Sequence, residues 1–158
     1  MEKKKNVKLL IICIVIPLLV GGLSALLTRG SMETFESLIK PSLSPPGWLF
    51  PVVWTILYIL MGTAAYLVLA SSAPQEERSR AITVYVNQLA VTFLWSTFFF
   101  HFGWYFFSFA WLVFLWVLIL ITLVRFYRIS KPAGYLLIPY LLWVSFAGYL
   151  NFAIWLLN

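Results

Sequence analysis

The chain has 158 residues, is 63% hydrophobic and 19% aromatic, and has a mean hydropathy of +0.95. It carries eleven Lys and Arg, five Glu and no Asp, so only 10% is charged, where soluble domains carry about 25%. That is too little charge to cover a water-facing surface, and composition excludes both a soluble domain and a disordered tail in favour of an integral membrane protein. Membrane-spanning strands alternate apolar and polar residues. Here the apolar runs are unbroken, so the class is all-α, and about 20 residues per span allow about five helices. The net charge of +6 lies in short clusters between apolar runs, where headgroups and topology explain it without nucleic acid.

In chain order, Lys3, Lys4, Lys5 and Lys8 open a basic start, and residues 9–28 follow without a charge. That run exceeds the roughly 7–15 residues of a signal-peptide core, so a retained first helix is expected. The connection 29–47 holds Arg29, Glu33, Glu36 and Lys40 and ends in a Pro/Ser-rich stretch. Such a stretch is stiff and partly extended; it serves either as a plain connector or as a cover over one mouth of the bundle. Residues 41–75 carry no charge, Glu76, Glu77, Arg78 and Arg80 form the next cluster, and 81–124 are again uncharged. One helix over 81–124 would be about 66 Å long, twice the hydrocarbon thickness. It must turn, and His101-Phe102-Gly103-Trp104 offers the Gly and the interfacial rings. Arg125, Arg128 and Lys131 precede a last uncharged stretch. The expectation is one transmembrane domain over 1–158 with helices at about 9–28, 48–70, 81–100, 106–126 and 134–156. Five spans put nine of the eleven basic residues on one side, which predicts a cytoplasmic N-terminus and an outside C-terminus.

No Asp, Glu, Lys or Arg lies within an expected span except Arg125, at the last turn of 106–126. Proton relays and ion-coupled carriers need such residues, so a pump or coupled transporter is disfavoured. The one Cys (Cys13) and one His (His101) are far apart, so neither a multidentate metal site nor a cofactor is expected. His101 is expected as an interfacial residue rather than a haem ligand. The interior is neutral, polar and aromatic. Gln88, Thr92 and Trp95 share a face of the third span, with Asn87 beside them. A buried amide needs a partner, so this face is either interhelical glue or a pocket wall. Trp54 and Tyr58 face together on the second span, and Trp54 lies too deep for a belt residue. Trp143, Ala147 and Asn151 form an i, i+4, i+8 stripe on the fifth. Gly21-x-x-x-Ala25 on the first marks close helix packing. These features suit a flat, largely apolar ligand with a few polar groups.

The motifs resemble the TspO/MBR family of tryptophan-rich sensory and translocator proteins, which includes the peripheral benzodiazepine receptor of animals. The resemblance rests on Pro45-Pro46-Gly47-Trp48-Leu49-Phe50-Pro51-Val52-Val53-Trp54-Thr55-Ile56-Leu57-Tyr58, on Gln88-Leu89-Ala90-Val91-Thr92-Phe93-Leu94-Trp95-Ser96, and on Pro139-Tyr140-Leu141-Leu142-Trp143-Val144-Ser145-Phe146-Ala147 with Leu150-Asn151-Phe152. It implies a five-helix membrane fold, a homodimer, and binding of tetrapyrroles such as protoporphyrin IX or of isoquinoline carboxamide and benzodiazepine-type ligands. By motif position the implied ligand-binding residues are Gly22, Pro45, Phe50, Trp54, Tyr58, Asn87, Gln88, Trp95, Trp143, Ala147 and Leu150. Trp54 and Trp143 match the tryptophans tied to light-dependent porphyrin breakdown, and would be catalytic if that reaction occurs. Leu43 replaces a frequent Trp and Thr92 a frequent Asn. Phe152 and Leu156 replace the Tyr and Arg of the animal sterol stretch, so sterol is not an expected ligand. A bacterial cell membrane is the expected location. The competing readings are a porphyrin receptor or sensor, a light-dependent porphyrin-degrading enzyme, a porphyrin transporter, and a packing subunit.

Overall fold

The computed structural model describes the backbone of residues 2–158 and the side chains of 6–31 and 33–158. Met1, and the side chains of Lys3, Lys4 and Lys5 used in the orientation argument, lie outside the described residues. Six α-helices follow in order: α1 Glu2–Thr28, the short α2 Met32–Ser37, α3 Leu49–Leu69, α4 Gln75–Ser96, α5 Tyr105–Ile129 and α6 Lys131–Leu157. Five of them, all but α2, are long and apolar enough to cross a membrane. The protein is an all-α integral membrane protein, as composition predicts.

Packing runs around a ring. α1 lies on α3, α3 on α6, α6 on α5 and α5 on α4, and a thinner contact between α4 and α1 closes it. Small residues set the closest approaches. A Cβ on Gly62 would meet the Cys13 carbonyl oxygen, and would stand 2.5 Å from the Ile14 Cα. Pro17 explains the shape of that seat. Proline has no N–H, so the carbonyl four residues back, that of Cys13, is left without its helical donor, and the bare Gly62 lets α3 close over it. At the opposite end of the ring Gly134 of α6 admits Tyr127 of α5, whose Cβ would lie 2.6 Å from an added Cβ.

The helices run further into the charged clusters than the sequence expectation: α1 begins at Glu2 rather than about 9, Arg125 and Arg128 lie in the last turns of α5, and Lys131 opens α6. α4 begins at Gln75, so Glu76, Glu77, Arg78 and Arg80 sit in its first turns rather than in a loop. Acidic residues favour a helix N-terminus, and Arg78 reaches back to the last turn of α3, donating from Nη1 to the Leu69 carbonyl at 3.0 Å. A further difference is α2, a helix within the expected connector. Its Phe35 and Leu38 turn inward among the polar Glu33, Thr34, Glu36 and Ser37. The turn after α4 falls where expected. A π turn over Thr97–His101 leads into Gly103, whose φ of +67° is left-handed and suits glycine.

Candidate functional site

A cavity of about 450 Å³ lies at the α2 end of the bundle, within the range of about 300–1,000 Å³ typical of small-molecule sites. Its walls come from α1, α3, α4 with its π turn, and α6, while α2 roofs it with Phe35; α5 contributes no lining residue. Along α6 the lining runs from Trp143 to Ile154. Eleven residues at the helical rise make that about 16 Å.

Beneath the cavity, behind Trp54, lies a buried polar chain. Tyr140 donates to Gln88 Oε1 at 2.6 Å, and its hydroxyl oxygen lies 2.6 Å from Thr92 Oγ1. Tyr140 has one proton, already given to Gln88, so Thr92 is the donor in that pair. The Gln88 amide nitrogen in turn faces Met61 Sδ at 3.9 Å. Gln88, Thr92 and Tyr140 are each 1% exposed. This is the glue alternative for the polar face of the third span: Gln88 and Thr92 tie α4 to α6 and do not line the cavity. Tyr140 supports Trp54 from below, ring centroids 6.1 Å apart.

The walls are aromatic. Trp54 leans on Tyr58 at 5.5 Å. Trp95 stacks on Phe99 at 5.4 Å, and its Nε1 donates to Asn151 Oδ1 at 3.1 Å. Asn151 donates onward to the Tyr105 carbonyl at 2.7 Å, so this amide is satisfied and fixed. A π turn carries an extra residue per turn; here Trp95, Ser96, Phe99 and Phe100 all reach the cavity. Trp143 packs on Phe50 at 5.9 Å. Its Nε1 is buried and has no hydrogen-bond partner among the described residues. A buried N–H without a partner costs about 1–3 kcal/mol, and this one belongs to a wall residue.

The α1 wall combines Leu18, Ser24 and Thr28 with the small residues Gly21, Gly22 and Ala25. Gly21 is filled by Tyr58, whose Cδ2 would lie 2.8 Å from an added Cβ, whereas a Cβ on Gly22 would meet nothing within 4 Å. Gly21 of the Gly21-x-x-x-Ala25 pattern thus packs against the Tyr58 ring of α3, and both Gly21 and Ala25 line the cavity.

The roof is held at several points. Phe35 is 5% exposed and meets Phe50 at 5.7 Å and Phe100 at 5.5 Å. Lys40 Nζ donates to the Glu36 carbonyl at 2.9 Å and the Phe35 carbonyl at 3.2 Å, and lies 5.1 Å from the Phe35 ring centroid. The Asn158 side chain pairs with the backbone of Ile39, accepting from its N–H at 3.2 Å and donating to its carbonyl at 2.8 Å. The 29–47 connection does cover the mouth, but through Phe35 of α2 rather than through its Pro/Ser-rich stretch, of which only Gly47 lines the cavity.

Of the residues singled out in the sequence, Gly22, Phe50, Trp54, Tyr58, Trp95, Trp143, Ala147 and Leu150 all line this one cavity. Three do not. Asn87 is exposed on the outer face of α4, one helical step from the inward Gln88. Gln88 lies behind the lining, bonded to Tyr140. Pro45 falls outside the lining, which takes Gly47 and Pro51 from that stretch instead. Leu43 is 68% exposed and away from the cavity. Phe35 and Arg29 line it without having been singled out. The signal for Phe35 was a lone aromatic three residues before Leu38 in an otherwise polar segment.

Fold and site together define a five-helix membrane protein with a Trp-walled, lidded cavity of ligand size. The TspO/MBR family profile matches residues 13–156, and the chain belongs to this family of membrane sensor and translocator proteins. It is 42% identical over 155 residues to the tryptophan-rich protein TspO of Chlorobaculum tepidum, covering 98% of both chains. It is 36% identical to protein CrtK of Rhodobacter capsulatus, over 87% of this chain and 85% of that one. With the translocator protein of Bos taurus it shares 33% identity, over 89% of this chain and 84% of the other.

Proposed function

We propose that this protein is a membrane receptor taking flat, largely apolar ligands of the tetrapyrrole class, or isoquinoline carboxamide and benzodiazepine-type molecules, into the cavity beneath Phe35. The observation that carries the reading is the roofed space of about 450 Å³ walled by three tryptophans, Trp54, Trp95 and Trp143. Apolar rings match the faces of a planar guest. A dark titration with protoporphyrin IX, followed by tryptophan quenching, tests it. Saturable quenching that weakens in Trp143→Phe supports the reading. Quenching linear in porphyrin means partition into detergent or lipid and refutes it.

Light-dependent porphyrin breakdown is the second reading. It is favoured by Trp54, which touches Tyr58 and Tyr140 at 5.5 and 6.1 Å, so that oxidisable rings stand behind a wall indole. An absorbance band formed only under light, in step with porphyrin loss and absent in Trp54→Phe, separates enzyme from receptor. Passive transport is tested by uptake into proteoliposomes against empty liposomes.

The homodimer belongs to the same proposal and draws support from Asn87. That residue lies seven positions beyond Arg80, about 10 Å into the hydrocarbon by helix rise. Its exposed amide has no partner among the described residues, a costly state in lipid. A second copy presenting its own Asn87 across a two-fold would satisfy both. Single-molecule photobleaching in nanodiscs should show two copies for wild type and fewer for Asn87→Leu. The proposed orientation sets the lid outside and the clustered basic residues in the cytoplasm, in a bacterial membrane.

A further inference from the structure

We infer that Arg29 is the anion seat of the cavity, so that the guest carries a carboxylate on one edge and that edge faces the lid. The inference rests on the cavity reading above and adds a charge and an orientation to it. Among the described residues lining the cavity, Arg29 alone is charged. It follows directly on the last residue of α1 and stands at the mouth. Among the described residues its guanidinium makes neither an ion pair nor a hydrogen bond; the one ion pair found joins Arg80 to Glu76 at the opposite end of the bundle. The other cation at this end, Lys40, is engaged by the carbonyls of α2 and the Phe35 ring. The acids at this end, Glu33 and Glu36, are exposed on α2 and pair with neither cation. Arg29 is therefore the group left to receive a negative charge.

The geometry sets the orientation. From Leu18 to Arg29 the α1 wall covers about 16 Å, matching the run from Trp143 to Ile154 on α6. The deep end is closed by Trp54, Tyr58 and Trp143 and carries no charge. A planar apolar body fits there, and an oxyanion is excluded by the cost of burying it unpaired. At the mouth, the planar guanidinium fork matches a carboxylate in two parallel hydrogen bonds. A lipid phosphate is an oxyanion too, so guest and headgroup compete for the same chemistry.

Protoporphyrin IX and its dimethyl ester, which differ only in the two carboxylates, are the probes. They are titrated against wild type, Arg29→Gln and Arg29→Lys in nanodiscs of neutral lipid and of lipid containing phosphatidylglycerol. The expected result is a loss of about five- to tenfold in affinity of the free acid in Arg29→Gln, a magnitude kept below that of a buried charged hydrogen bond because the residue is exposed. Arg29→Lys should retain part of the affinity, and the ester should bind all three proteins within about twofold, as no charged bond is at stake. The difference should shrink as salt rises. Equal effects of Arg29→Gln on acid and ester, or none on either, overturn the inference while saturable ester binding keeps the cavity reading. An effect that appears only with phosphatidylglycerol assigns Arg29 to the headgroup and also overturns it. Failure of both probes to saturate removes the cavity reading and the inference together.

Discussion

Gly22 offers a way to fill the cavity without disturbing the fold. A Cβ there meets nothing within 4 Å, whereas one on the adjacent Gly21 runs into the Tyr58 ring, with Cδ2 at 2.8 Å. Gly22→Leu therefore puts a branched side chain into the space a guest would use. Replacing a helical glycine removes a propensity cost of about 0.5–1 kcal/mol, so thermal stability should hold or rise. Forcing a guest past the new side chain costs about 1–3 kcal/mol of overpacking. At 1.4 kcal/mol per factor of ten, affinity should fall about 5- to 150-fold. Gly21→Leu should behave oppositely, because its side chain displaces Tyr58 and lowers the melting temperature whether or not ligand is present. Thermal melts and porphyrin quenching titrations on the two variants give four numbers. Wild-type affinity in a well-folded Gly22→Leu would refute the assignment of this cavity as the binding site. A drop in stability equal to that of Gly21→Leu would refute the claim that the space beside Gly22 is free.

Other substitutions probe the supports of the site. Tyr140→Phe removes the proton held by Gln88 and the acceptor used by Thr92; each lost bond should cost about 0.6–2 kcal/mol in the membrane, read by denaturant titration. Adding Gln88→Met and Thr92→Val should recover part of that loss, since removing all partners leaves nothing unpaired. Asn158→Ala cuts both bonds to Ile39, at about 1 kcal/mol each, and should speed hydrogen exchange across α2 and porphyrin release while leaving exchange in α3 and α6 unchanged. Gly62→Ala must push α1 off α3 at the Cys13 carbonyl and should destabilise by about 1–3 kcal/mol, measured by the same denaturant titration.

Much of this protein is legible in the sequence because the bilayer enforces it. A span must be about 20 residues long and satisfy its own backbone, so the charge clusters mark the helix ends and force the turn near Gly103. Buried amides and indoles must find partners, so Gln88, Trp95 and Asn151 declare themselves as inward. The family motifs carry Trp54, Trp143 and Ala147 onto one site before any coordinates are seen. What only the tertiary structure decided is which inward residues face space and which face one another. Gln88 and Trp95 lie two helical turns apart on one face. The first is taken up by Tyr140 and the second faces the cavity. Asn87 and Gln88 are neighbours in sequence, yet one helical step of about 100° puts the first outside. The lid is the clearest case. Phe35 sits on a single turn and a half of helix, too short to be stable or periodic by itself, and it is ordered by Phe50 at the start of α3 and by Phe99 and Phe100 of the π turn after α4. Arg29 likewise reads as a plain boundary charge until the cavity beneath it is seen. Helices follow from local composition and the demands of lipid, whereas a cavity is a relation between surfaces, and that relation exists only once the helices have packed.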